Sequence, residues 1–149
     1  MIGCRIDSVK GLFFDSAKVR TCTSRAQRRV LSRFGAFVRT RARTSIRKRK
    51  KPSASGQPPS SHTGLLKKFI FFAYEPARQN VVIGPVRLSQ KVGDAPAALE
   101  HGGQTKVVSA TRRRKRQVRT VTIQARPFMG PAFEAERPKL PAMWANSVK

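Results

Sequence analysis

The chain has 149 residues, 39% of them hydrophobic, which suits one domain with a modest core and some chain outside it. Its 32 lysines and arginines stand against seven aspartates and glutamates, a net charge of +25. Few of these cations find an internal partner, so a polyanion, an acidic neighbour or an assembly must relieve their repulsion. No apolar stretch approaches 18 residues, which excludes a transmembrane helix.

Residues 1–23 are mixed in character and are expected to form an arm, with a short apolar spot at Leu12, Phe13 and Phe14. They lack the long apolar core of a signal peptide. Cys4 and Cys22 are the only cysteines. One disulfide is open to them, but a reduced compartment fits two cysteines better than a disulfide framework does. Cys4, Cys22, His62 and His101 match no standard zinc spacing, so no metal is expected.

A single domain is expected over 24–149, opening with a helix from Ser24 to about residue 48. Ser24 is placed to cap it, with Gln27 three residues on as in a capping box. Val30, Leu31, Phe34, Phe37, Val38, Ala42 and Ile46 recur at spacings of three and four, one apolar stripe. Arginines cover most of the remaining surface. Gly35 weakens the centre by about 1 kcal/mol relative to alanine and marks a place for close approach.

The helix runs into Arg47, Lys48, Arg49, Lys50 and Lys51, the start of a basic loop over 47–62 rich in Pro, Ser and Gly. A helical turn is expected over 63–68. Strands follow over 69–74 and 81–83, joined as a hairpin, with Gly84 and Pro85 stopping the second. Phe69, Phe71, Phe72 and Tyr74 are read as core residues rather than base-stacking ones. Residues 95–101 make two helical turns, ended by Gly102 and Gly103. Strands over 105–110 and 118–124 flank a basic hairpin at 111–117 that holds Arg112, Arg113, Arg114, Lys115 and Arg116. Pro131 is expected in the first turn of a last helix that includes residues 132–136, and Pro138 and Pro141 make it irregular. The fold class is therefore α+β: a long N-terminal amphipathic helix on a small antiparallel sheet of about four strands, with a C-terminal helix.

No arrangement for catalysis stands out. His62 lies in a serine-rich loop and His101 before a Gly-Gly stop. The seven acids form no pair in an apolar frame that would tune a pKa. No GxGxxG or GxxxxGK[ST] pattern occurs, so no cofactor is expected. The two basic clusters, 47–51 and 112–116, are the candidate contacts to DNA or to an acidic partner.

Several separated fragments resemble the small neck or tail-completion proteins of long-tailed phages, the minor tail components involved in head–tail joining. They are the amphipathic stretch over 27–46, His62-Thr63-Gly64-Leu65-Leu66, Val81-Val82-Ile83-Gly84-Pro85 and Ala97-Ala98-Leu99-Glu100-His101-Gly102-Gly103. The most specific is Ala125-Arg126-Pro127-Phe128-Met129-Gly130-Pro131-Ala132-Phe133, which looks like the family's RPFxxPA. Arg126, Pro127, Phe128, Pro131 and Ala132 match this motif; Gly64, Leu65, Gly84, Pro85, Glu100 and Gly102 match the lesser ones. The resemblance implies a non-enzymatic virion protein of the head–tail neck, present in the host cytoplasm during assembly. It implies a homo-oligomeric ring of six copies, or twelve on the connector. Its partners would be connector or adaptor proteins, tail terminator or tail tube proteins, and genomic double-stranded DNA in the lumen, with no membrane. Residues 1–23 and the high charge depart from the family. The rival expectation is a nucleic-acid-binding protein of ribosomal type.

Overall fold

A computed structural model describes residues 16–86, 95–109, 117–145 and 147. The fold is α+β, with a 30-residue helix α1 (Ser16–Ser45) as its spine. There follow a short turn α2 (Leu65–Lys68), strands β1 (Ile70–Glu75) and β2 (Asn80–Pro85), and helix α3 (Ala95–His101). Strands β3 (Gly103–Ser109) and β4 (Gln117–Ile123) come next, then α4 (Met129–Glu136), a 3-10 turn and α5 (Leu140–Trp144).

Helix α1 starts at Ser16, inside the expected arm, and not at Ser24. Ser24 is therefore mid-helix and caps nothing. Gln27, its expected capping partner, instead donates from Nε2 to the Gln79 carbonyl at 2.9 Å. The buried stripe is Ala26, Val30, Phe34, Val38, Ala42 and, just past the helix end, Ile46. Each four-residue step from Ala26 to Ala42 advances by about 40° round the axis, so the stripe winds through about 160° and meets more than one partner. Leu31 is half-buried and Phe37 exposed, at the flanks of this winding band.

On one flank lies the β1–β2 hairpin. Its register runs from Ile70 opposite Pro85 to Glu75 opposite Asn80, which leaves a four-residue loop with Gln79 at φ 51°. A Cβ on Gly35 would stand 2.9 Å from Phe72 Cδ2 and from Val81 Cγ2, so the missing side chain lets the hairpin close on the helix. Arg39 Nε donates to the Ile70 carbonyl at 2.9 Å across the same contact. Gly84 and Pro85 do not stop β2; they are its last two residues. Among the described residues the hairpin has no third strand, so Pro85 interrupts no inner ladder there.

Period two decides the aromatic residues. Ile70, Phe72 and Tyr74 alternate with Phe71 and Ala73, and it is Ile70 that is fully buried. Phe69 and Phe71 are exposed, against the expectation of a core role. Phe71 carries the Arg39 guanidinium over its ring at 5.8 Å.

The other flank of α1 holds α4 and α5. Phe34 meets Phe133 edge to face at 5.7 Å. The core joins Phe34, Val38, Ala42 and Ile46 to Leu66, Ile70, Phe128 and Ala132, with Leu140 and Met143 packed against it. Helix α4 begins at Met129, and Pro131 lies in its first turn, as expected. Beyond Glu136 the chain tightens to a 3-10 turn over Arg137–Lys139 that contains Pro138. Among the described residues four strands form two separate two-stranded ladders, β1–β2 and β3–β4, and not one sheet.

Candidate functional site

Two constellations carry the residues that the sequence singles out. The first is a corner where α3, the end of β4 and the start of α4 meet. A helix N-terminus leaves its first amides without intrahelical partners. Here Glu100, from α3, supplies the acceptors. Its Oε2 accepts from the amides of Phe128 and Met129 at 2.9 and 3.0 Å, and its Oε1 from Gly130 at 2.7 Å. Gly102 sits at φ 76°, where a Cβ would stand 3.1 Å from the Ala125 nitrogen and 3.3 Å from the Ile123 carbonyl oxygen. The Arg126 amide donates to the Leu99 carbonyl, and Phe128 is buried to 1% exposure in the core.

The motif residues thus converge in part. Pro85, Glu100 and Phe128 line one small cleft of about 290 Å³. Gly102 and Arg126 flank it through their backbone contacts, Ala132 is buried beneath, and Pro127 precedes Phe128. Pro131 is on the exposed side of α4. Gly64 and Leu65 lie apart at α2, where Leu65 is exposed and its neighbour Leu66 enters the core. Gly84 is half-buried in β2, opposite Phe71.

The second constellation surrounds the C-terminal end of α1. The helix stops at Ser45, and Ile46 turns inward with 1% exposure. Arg47, Lys48, Arg49, Lys50 and Lys51 follow as non-helical, exposed residues. The loop beyond them is tied down by its main chain. The Arg47 carbonyl accepts from the Ser61 amide at 3.0 Å, and the Gly56 amide donates to the Ala125 carbonyl at 2.9 Å. Arg126 Nε donates to the Ser53 carbonyl at 3.0 Å, and Ser61 Oγ accepts from the Gly64 amide at 2.9 Å. A groove of about 710 Å³ opens between this loop and the last turns of α1. Arg41, Arg47, Arg49, Ser53, Gln57 and Ser60 are among its lining residues, and among the described residues no acidic one lines it. Ser53 Oγ is buried and has no hydrogen-bond partner among the described residues.

Sequence reasoning singled out Arg47 and Arg49 but not Ser53, Gln57 or Ser60. Those three lie in a stretch whose composition is that of a linker, and the backbone bonds that shape it leave no mark in the sequence. The other basic run, Arg112, Arg113, Arg114, Lys115 and Arg116, lies outside the described residues; the β3–β4 ladder is described as far as Ser109 opposite Gln117.

The remaining carboxylates in the described residues are held in ion pairs. Glu136, 4% exposed, pairs with Lys139 Nζ at 2.7 Å and with Arg41 Nε. Hydrogen bonds from Lys139 and then Arg41 hold its carboxyl below the ordinary glutamate value, against the opposing effect of burial. Glu134 pairs with Arg137 at 3.4 Å and Glu75 with Arg78 at 3.8 Å. His62 and His101 are both exposed. Cys22 is exposed on α1, and Cys4 lies outside the described residues. Among the described residues no helix is long and apolar enough to cross a membrane. No protein-family model, no curated protein and no solved structure matches the chain.

Proposed function

We propose that this chain is a structural subunit of a phage head–tail neck. It works mechanically, as one of six copies in a closed ring around double-stranded DNA, or one of twelve where the ring sits on the connector. Connector or adaptor proteins and tail terminator or tail tube proteins are its neighbours in the virion.

The observation that carries this reading is the corner at Glu100. Fragments separated by more than twenty residues in sequence, Ala97 to Gly103 and Ala125 to Phe133, resemble neck-protein motifs in the same order, and they pack against one another. Their side chains do structural work: one carboxylate holds a helix start, one phenylalanine fills the core, and one arginine ties down a loop. The surface adds support. Among the described residues neither two-stranded ladder has a further strand on its edges, and Phe71, Val82, Val118 and Val121 are exposed on the ladders' faces. Open edges and exposed apolar residues suit contact with neighbouring subunits.

Light scattering on the size-fractionated protein, with negative-stain microscopy, tests the reading. Closed rings in the absence of nucleic acid are the expected result. A monomer that binds RNA tightly and salt-sensitively, and never closes into rings, would replace it with the ribosomal-type reading.

A further inference from the structure

The groove at the end of α1 sets basic side chains against a loop that distant residues hold in place. An exposed lysine on a helix is a solvated point charge. Here Arg47 and Arg49 stand at a concave wall whose far side is a loop fixed by main-chain hydrogen bonds. The site is therefore shaped before a ligand arrives, which lowers the cost of ordering it. Its lining combines guanidinium groups with neutral donors, Gln57 and Ser60, and no acid lines it among the described residues. Ser53 also lines it, and its buried hydroxyl has no hydrogen-bond partner among the described residues. Guanidinium forks with hydroxyl and amide donors are the groups that bind phosphate oxygens. At about 710 Å³ the groove exceeds one anion, and the exposed Lys48, Lys50 and Lys51 are sequence neighbours of Arg47 and Arg49.

We propose that this groove is a phosphodiester-binding site that grips the backbone of duplex DNA, with Arg47 and Arg49 as its phosphate contacts. The phosphate chemistry stands on the groove itself; the choice of duplex DNA as the polymer rests on the neck reading.

The test compares two variants of equal charge. Arg47→Gln with Arg49→Gln removes the two groove cations and leaves the main-chain bond of Arg47 intact. Lys67→Gln with Lys68→Gln removes two exposed cations from α2, away from the groove. Anisotropy of a labelled duplex of ~20 base pairs is followed over a salt series, with poly-glutamate as a second probe. The groove variant should bind the duplex about tenfold more weakly or worse, and its log–log salt slope should fall by about two. The α2 variant should lose less than about threefold, as expected of a general field effect. Equal losses in both variants would overturn the proposal in favour of diffuse charge. Poly-glutamate binding that is as tight as duplex binding and as sensitive to the groove variant would assign the groove to an acidic protein instead. Ring formation, measured on the same samples by light scattering, separates this result from the neck reading. Rings with an unaltered salt slope in the groove variant reject the groove alone. A ring-free protein whose slope falls keeps the groove and rejects the neck.

Discussion

One carboxylate that accepts from three successive main-chain amides does more than a single capping side chain. Glu100 does so for α4 from a different element, α3. Glu100→Gln keeps the size but leaves one acceptor oxygen where there were two, and sets an amide donor against a backbone donor. The expected loss is about 1–3 kcal/mol, read from urea unfolding of the two proteins. An unchanged midpoint would show that water replaces the carboxylate at no cost. Phe128, next to this cap, is 1% exposed in the core. Phe128→Ala should cost about 3–5 kcal/mol in the same assay, through lost burial and the cavity left behind. A cost near zero would mean that α1 and α4 close over the gap.

At the scale of elements, the apolar contact of α1 with α4 is joined by an ion-pair cluster around one buried carboxylate. Arg41 from α1 and Lys139 from the 3-10 turn both reach Glu136. Because the folded-state pKa of Glu136 lies below the ordinary 4.5, its contribution to stability is complete above that value. It fades as pH falls through the lowered pKa of the folded state. Unfolding curves between neutral and strongly acid pH should show a loss for the natural protein that Glu136→Gln largely lacks. Parallel pH profiles would refute the assignment. Which elements form was readable in advance. The spacing from Val30 to Ile46 marks α1, and the Gly-Gly stop at Gly102 marks the end of α3. The helix start was misplaced because Ser24 and Gln27 have the residue types of a cap without its surroundings. Whether four strands form one sheet or two ladders depends on whether β2 meets β3, which no local pattern encodes. The groove was illegible for a similar reason: the 52–60 loop has the composition of a linker, and Arg126, Ala125 and Ser61 hold it from a distance.

At the scale of the molecule, +25 on 149 residues is a standing internal pressure. The ion pairs of the described residues are few and largely exposed, Glu136 apart. Screening should therefore relieve more repulsion than attraction. Raising sodium chloride from about 0.02 to about 0.3 M, which shortens the Debye length severalfold, should raise Tm by about 3 °C or more. A flat or falling Tm would show that the paired charges dominate. The carboxylate bridge from α3 to α4 has one more consequence, for the order of events. Eight residues are too few for α4 to persist as a helix in water unaided. Its start is secured only once α3 has docked beside it. The two helices should therefore exchange their amide hydrogens as one cooperative unit, gaining and losing protection together.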